Sequence, residues 1–337
     1  MALAPVHDAR LVDTTIAGVL GVREEGAVPL RQRLAAFLRE RRLLLILDNF
    51  EHLLEAAALV GELLTAAPGL TVVATSRIRL RLRGEHEVVV SPLPTPDVDH
   101  PPTTPEDVAT YAAARLFVAR AQEAQPGFTL TAENAAVVVA ICARLDGLPL
   151  ALELAAARVK LLPLPALLSR LEHRLPLLTG GARDLPARQQ TLRATIGWSY
   201  DLLTAQEQGL FRRMAVFAGG WTLEAAEAVT TTEGELGFDT LEGLGVLVDA
   251  SLVQPVNVPE GEPRFRMLAT VREYGLERLE ESSAGDCASA TRGVLCHSRR
   301  DYRHTRRLAT RPCDRVYPTG RRSRKPAGGT GLDLRAG

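Results

Sequence analysis

The chain has 337 residues, which is enough for two or three domains with buried cores. Apolar residues make up 46% and charged residues 24%, as in an ordinary globular protein, and no apolar run is long enough for a transmembrane helix. The net charge is zero, but residues 1–282 carry 27 basic and 36 acidic residues, whereas residues 283–337 carry 13 basic and 4 acidic ones.

Cysteine usage and the start of the sequence favour a cytoplasmic protein. The four cysteines show no C-x-x-C and no zinc-ligand spacing, which argues against a disulfide scaffold and a zinc site. No basic start is followed by an apolar segment, so the sequence shows no secretory signal. We therefore expect a cytoplasmic location.

Residues 1–95 alternate apolar runs with helical patterns. Four short apolar runs predict strands at Met1–Val6, Leu43–Leu47, Leu70–Ala74 and His86–Val90. Leucines at helical spacing predict helices over Pro29–Arg42 and Glu51–Ala67. The alternation predicts a parallel α/β sheet, and the continuous apolar strands predict that both of its faces are covered.

A proline-rich linker at residues 96–105 precedes an all-helical region at residues 106–187. Thr131 is placed to cap a helix in that region. The segment Gly147-Leu148-Pro149-Leu150 interrupts the helical pattern, since proline ends or bends a helix.

Residues 188–281 predict a winged-helix domain. Helices are expected over Leu192–Leu203, Thr204–Phe217, Thr222–Val229, Asp239–Val248 and Val271–Leu279, with a hairpin between Ser251–Val258 and Arg264–Leu268. Thr204 and Glu207 have the spacing of a capping box. Trp198 and Trp221 are expected in the core, and Cys142 of the preceding region is expected to be a buried structural cysteine.

Residues 282–337 form a basic tail that we expect to be disordered. Apolar periodicity ends after Ser282, and arginine, glycine and proline dominate. The abrupt change predicts a frameshifted reading of a GC-rich coding region. A tail that binds nucleic acid is the competing interpretation, but its aromatic residues are only Tyr302 and Tyr317.

Two polar strand ends and one helix junction could form a binding site. Asp48 follows a buried strand, and at the mouth of an α/β sheet such a carboxylate can hold Mg²⁺. Arg77 follows the next strand, where a guanidinium suits a terminal phosphate. The alternatives are that Asp48 caps the following helix, that Arg77 is an ordinary surface residue, and that Pro149 marks a plain helix–helix junction.

The segments LLLILDNFEHL, TVVATSR, GLPLALELAAARV and TLRATIGWSYDLL, in this order, resemble the STAND class of P-loop ATPases, which are NB-ARC-like. The chain more closely resembles the ATPase core of large LuxR-type bacterial transcriptional regulators, over about residues 1–281. The resemblance implies that Asp48 is the Walker B residue for Mg²⁺, that Arg77 senses the γ-phosphate, and that Pro149 packs on adenine. Asn49, Thr75 and Leu148 belong to the same implied site, and the winged helix closes on it as a lid.

The sequence departs from this family at three points. It has no Gly-Lys dipeptide, because its only lysines are Lys160 and Lys325, so the Walker A loop G-x-x-x-x-G-K-[ST] is missing. The resemblance places that loop and the first strand before residue 1. Asn49 stands where many ATPases have an acidic residue, and Met267-Leu268-Ala269 aligns with a Met-His-Asp motif. We therefore expect an incomplete sheet, truncated before Walker A, and no ATPase activity from this chain.

These features predict part of an ATP-dependent regulator of signal transduction and transcription. The intact family would use ATP or ADP and Mg²⁺. Expected partners are other regulator domains or proteins and a further copy of the chain, with DNA contacted only weakly or indirectly and no membrane. One alternative is a nucleotide-independent protein-interaction module, and another is a DNA-binding winged helix.

Overall fold

A computed structural model describes residues 1–23, 28–97, 102, 104–181, 186–232, 239–256 and 263–290. The strands are β1 Leu43–Leu47, β2 Leu70–Ala74, β3 Trp221–Thr222, β4 Gln254–Val256 and β5 Arg264–Arg266. The helices are α1 Val12–Leu20, α2 Leu30–Arg39, α3 Ala57–Ala66, α4 Pro105–Val108, α5 Ala112–Ala124, α6 Ala132–Arg144, α7 Pro149–Ala156, α8 Leu164–Arg170, α9 Arg174–Leu177, α10 Leu192–Asp201, α11 Ala205–Met214, α12 Leu223–Thr232, α13 Thr240–Asp249 and α14 Ala269–Ala290. The fold is a mostly helical α/β arrangement with a small parallel sheet, a helical region and a winged helix.

The parallel sheet consists of β1 and β2, paired in register from Leu43 opposite Leu70 to Leu47 opposite Ala74. The expected strand at Met1–Val6 is reduced to a single parallel bridge between Ala2 and Asp48. Leu45 and Leu47 face a core that they share with α1, α2 and α3.

The expectation that both sheet faces are covered was wrong. Alternate residues of each strand point to opposite faces. On the face opposite the core, Leu44 is 57% exposed and Ile46 and Val73 are each 49% exposed. The described helices α1–α3 pack on one face only, so continuous apolar character in these strands did not indicate two-sided burial.

The expected strand at His86–Val90 was also wrong. This segment has no strand assignment, and Val88, Val89 and Val90 are 85%, 75% and 91% exposed. A strand needs a neighbouring ladder for its backbone N–H and C=O groups. Within the described residues β1 pairs only with β2 and the bridge at Ala2, and nothing pairs with residues 86–90. Valine content alone therefore predicted a strand that has no partner.

The helical region and the winged helix share one hydrophobic core, which runs in sequence from Val108 to Tyr274. The predicted caps are present: Thr131 N donates to Asn134 Oδ1 at 2.9 Å, and Thr204 N donates to Glu207 Oε2 at 2.7 Å. Trp221 is buried and stacks with Phe217 and Phe265. The predicted domain boundaries at residues 95, 105, 187 and 281 stay a prediction.

The wing is an antiparallel three-stranded sheet in the order β3-β5-β4, and it includes the expected hairpin. The closing helix α14 begins at Ala269 and continues to Ala290, so the loss of apolar periodicity at Ser282 did not mark its end. Three alanines favour helix there, at positions 284, 288 and 290. The rest of the predicted tail, residues 291–337, lies outside the described residues.

Candidate functional site

The two parallel strands end in a small hydrogen-bonded network. The Thr75 hydroxyl donates to Asp48 Oδ1 at 2.6 Å, and the backbone N–H of Asn49 donates to Thr75 Oγ1 at 2.9 Å. Asn49 has a φ of 69°, a left-handed conformation that asparagine tolerates better than most residues. Asp48 and Thr75 are exposed, so this edge of the sheet presents a carboxylate and a hydroxyl to solvent.

A second polar group lies just behind this edge. The Asn49 side-chain amide donates to Glu51 Oε1 at 3.2 Å, and Arg77 Nε lies 3.9 Å from the same oxygen. The side chain of Glu51 is only 2% exposed. Burying a carboxylate costs free energy unless it has a positive partner and hydrogen bonds. Here Arg77 is the positive partner and the Asn49 amide donates the hydrogen bond.

Arg77 also reaches across to α10. Its Nη1 donates to the backbone carbonyl of Thr195 and to Ser199 Oγ, both at 2.6 Å. Both acceptors lie on α10, and Ser199 is buried. Beside this contact the ring of His52 meets Trp198 edge-on, with the ring centroids 5.7 Å apart. The strand edge and α10 are therefore joined by charged hydrogen bonds and by a ring contact.

The Gly147-Leu148-Pro149 turn lies at the start of α7. Gly147 has a φ of 65°, and its carbonyl accepts from Leu93 N at 3.0 Å. Leu148 packs against the large core, and Pro149 is exposed at the first position of α7. Leu148 packs on the larger hydrophobic cluster, whereas the strands that precede Asp48 and Thr75 pack on the smaller one.

The residue before this turn ties the helical region to α14. Asp146 Oδ2 accepts from Thr270 N at 3.2 Å and from Thr270 Oγ1 at 3.3 Å, so it caps the beginning of α14. Burial raises the pKa of the Asp146 carboxyl, although these hydrogen bonds and the charge of Arg174 act in the opposite direction. Glu273 of α14 in turn accepts from the backbone N–H groups of Arg174 and Leu175.

The described residues do not fit a complete Mg²⁺–ATP site. Asp48, with its neighbouring hydroxyl, suits a metal-bound water, but no group of three or more His, Cys, Asp or Glu side chains able to hold a metal occurs in the described part of the chain. Tight phosphate binding needs a cradle of backbone N–H groups and a lysine. The sequence lacks a Gly-Lys dipeptide, and the arginine at this edge is engaged with α10.

Sequence reasoning missed the residues that complete this network. Glu51 could have been suspected, because it closely follows Asp48 and Asn49 at the strand end and lies between Phe50 and the apolar pair Leu53-Leu54. Thr195 and Ser199 gave no such signal, since they lie 118 and 122 residues from Arg77. Only the packing of α10 against the strand edge brings them together.

Comparison with known proteins gives a family match within this fold. Residues 203–280 match the model of the winged helix-turn-helix domain. A STAND signal-transduction ATPase with a tetratricopeptide-repeat sensor, PH0952 from Pyrococcus horikoshii, aligns over 75% of this chain and 30% of its own, with 16% identity and a TM-score of 0.27. At that TM-score the likeness supports no conclusion about this chain.

Two mycobacterial relatives are much more similar. Rv0890c of Mycobacterium tuberculosis, provisionally named as an HTH-type transcriptional regulator, is 43% identical over 285 residues, which cover 84% of this chain and 31% of the relative. The chain thus spans about a third of that regulator's length. Rv0894 of the same organism, an uncharacterized protein, is 38% identical over 290 residues, which cover 86% of this chain and 70% of Rv0894. The chain belongs to the same family as Rv0894.

Proposed function

We propose that this chain is part of an ATP-dependent, STAND-type transcriptional regulator, in which the state of the β1–β2 strand edge sets the position of the winged helix. The name of Rv0890c supports a role in transcription. The resemblance of the strand-end and helix motifs supports the STAND class and its LuxR-type relatives. One observation carries the proposal: Arg77 leaves the edge that bears Asp48 and Thr75 and donates two hydrogen bonds to α10.

The chemistry of Arg77 suits such a joint. A guanidinium stays charged at any physiological pH and donates in a fixed planar geometry. Hydrogen bonds from a charged donor contribute about 1.5–3 kcal/mol each when they are sheltered from water. The Arg77 side chain is 27% exposed, so part of this strength is retained. Any change at the strand edge that withdraws the guanidinium would release α10.

The proposal is tested by amide hydrogen exchange on the full chain. Arg77→Ala should speed exchange in Thr195–Asp201 several-fold and leave α5 and α6 unchanged, because those helices lie in the core of the helical region. Arg77→Lys should give an intermediate result, since lysine keeps the charge but not the planar geometry. Unchanged exchange in α10 of Arg77→Ala would contradict the proposal.

A nucleotide-independent interaction module is the first alternative. It is favoured by the use of Arg77 within the chain, where the guanidinium donates to α10. Titration of the chain with Mg²⁺–ATP tests the module directly. Saturable binding that Asp48→Asn weakens contradicts the module, whereas absence of binding is expected under both readings, because this sequence has no Gly-Lys dipeptide.

A DNA-binding winged helix is the second alternative, favoured by the family match at residues 203–280. It predicts DNA binding that falls steeply with salt and survives deletion of residues 291–337. None of the helices in the described part of the chain has the length and apolar character needed to cross a bilayer. A cytoplasmic location is part of the proposal.

A further inference from the structure

The segment after β2 alternates arginine with apolar residues: Arg77, Ile78, Arg79, Leu80, Arg81, Leu82 and Arg83. We call residues 77–83 the arginine strap. Leu80 and Leu82 pack against the core beneath the β1–β2 sheet. The strap is therefore anchored on the α/β side by its leucines.

The conformation of the arginine strap is fixed by one carboxylate. Glu85 accepts hydrogen bonds from the backbone N–H groups of Leu80 and Leu82, both at 3.1 Å. Between them Arg81 has a φ of 56°, a left-handed conformation that costs a residue with a side chain roughly 1–2 kcal/mol. A non-glycine residue holds this conformation only where surrounding contacts enforce it.

Two arginines of the strap meet the end of α13. Arg79 Nε lies 3.3 Å from Asp249 Oδ1, and Arg81 Nη2 lies 3.2 Å from Asp249 Oδ2. Asp249 is the last residue of α13, and its side chain is 18% exposed. A carboxylate at a helix C-terminus is unfavourable, because it lies beside the negative end of the helix dipole. The two arginines offset the charge of the carboxylate and that of the helix end.

The rest of α13 carries the same charge. Asp239 caps its first turn through Leu241 N at 2.7 Å, and Glu242 lies in that turn. Thr240–Asp249 contains no lysine or arginine, and Leu241 is 52% exposed. This helix lies within the match to the winged helix-turn-helix model and follows α12, so it has the place of the second helix of a pair, which is the recognition helix in a helix-turn-helix. A recognition helix needs basic side chains for phosphates and bases, and α13 offers acidic ones.

We infer that the C-terminal end of α13, at Asp249, is a docking point for an arginine-bearing extended segment, and that its occupant is the arginine strap of the same chain. Asp249 is its anchor, and the strap holds the winged helix against the α/β unit at a point separate from Arg77. The inference goes beyond the proposed function, because it needs neither a nucleotide nor the contact of Arg77 with α10.

The test is a set of neutralising variants of the full chain, followed by amide hydrogen exchange. Asp249→Asn and the pair Arg79→Ala with Arg81→Ala should each speed exchange in residues 79–83 and at the end of α13 by about two- to tenfold, as expected for a partly exposed ion pair. Arg79 also pairs with Glu87, so the arginine pair of changes should be the more affected parent. The variant with all three changes should exchange no faster than that parent, because the contact with Asp249 is already lost in it. Glu242→Gln is the matched control on α13 and should change nothing at the strap.

Two results would overturn the inference. The first is an exchange rate at the strap in Asp249→Asn that equals the wild-type rate, or increases in exchange rate that add fully when all three changes are combined. The other comes from adding duplex DNA, which should leave exchange in Leu241–Gly245 unchanged; slower exchange there would make α13 a DNA reader. The local readout is needed because the basic residues 291–337 could bind DNA elsewhere. The Arg77→Ala test of the proposed function is read in α10, whereas this test is read at the strap and at the end of α13. Failure of one can therefore be told from failure of the other.

Discussion

Replacing Gly147 by alanine tests whether the Gly147-Leu148-Pro149 turn depends on a close backbone approach. A Cβ at this position would lie 2.1 Å from the carbonyl oxygen of Leu93 and 3.2 Å from Thr95 Cγ2. The residue also has a φ of 65°, which costs alanine roughly 1–2 kcal/mol before any clash. Since a backbone carbonyl must move, we expect Gly147→Ala to lower the free energy of unfolding by about 2–4 kcal/mol.

Urea unfolding, followed by circular dichroism, measures this loss as a shift of the midpoint. The matched control is Gly127→Ala, where an added Cβ meets nothing within 4 Å. That variant should stay within about 0.5 kcal/mol of the wild type. A loss below about 0.5 kcal/mol for Gly147→Ala would refute the reasoning, because neither the left-handed backbone nor the approach of Leu93 would then matter.

Three further predictions concern buried and capping groups. Burial raises the pKa of the Cys142 thiol to about 12, so mass spectrometry should find Cys142 unalkylated by iodoacetamide at pH 8 in the folded chain and alkylated in urea. Burial raises the pKa of the Asp146 carboxyl in the folded state, so protonated Asp146 stabilises the fold at low pH. This contribution is lost as the pH rises from the unfolded pKa of Asp146 through the raised folded pKa. Over that pH range, the free energy of unfolding of the wild type should fall relative to that of Asp146→Asn. Thr204→Ala should cost about 1 kcal/mol in urea unfolding, since it removes the cap on Glu207 N.

The sequence predicted those elements whose signals are local. The runs Leu43–Leu47 and Leu70–Ala74 are strands as expected, because each is short, apolar and bounded by turn residues. The capping box at Thr204 begins α11 because it satisfies backbone N–H groups within the same turn. Interactions within a few residues can be read from spacing alone.

Features that depend on distant partners could not be predicted in this way. The segment Val88–Val90 has strand composition, but a strand is stable only with a neighbour, and no described strand pairs with it. The placement of Asp48 beside Thr75 followed from two parallel strands ending at one edge. The sequence did not predict where the Arg77 side chain points, because its acceptors lie on α10, more than 100 residues away in sequence. Tertiary packing decided these cases.

A double-mutant cycle tests most directly whether Arg77 couples the strand edge to α10, the helix that precedes the winged-helix match at residues 203–280. The free energy of unfolding is measured for the wild type, Arg77→Ala, Ser199→Ala and the double variant. A charged hydrogen bond to a buried hydroxyl predicts a coupling energy of about 1–2 kcal/mol. Additive effects, with a coupling energy below about 0.3 kcal/mol, would contradict the claim.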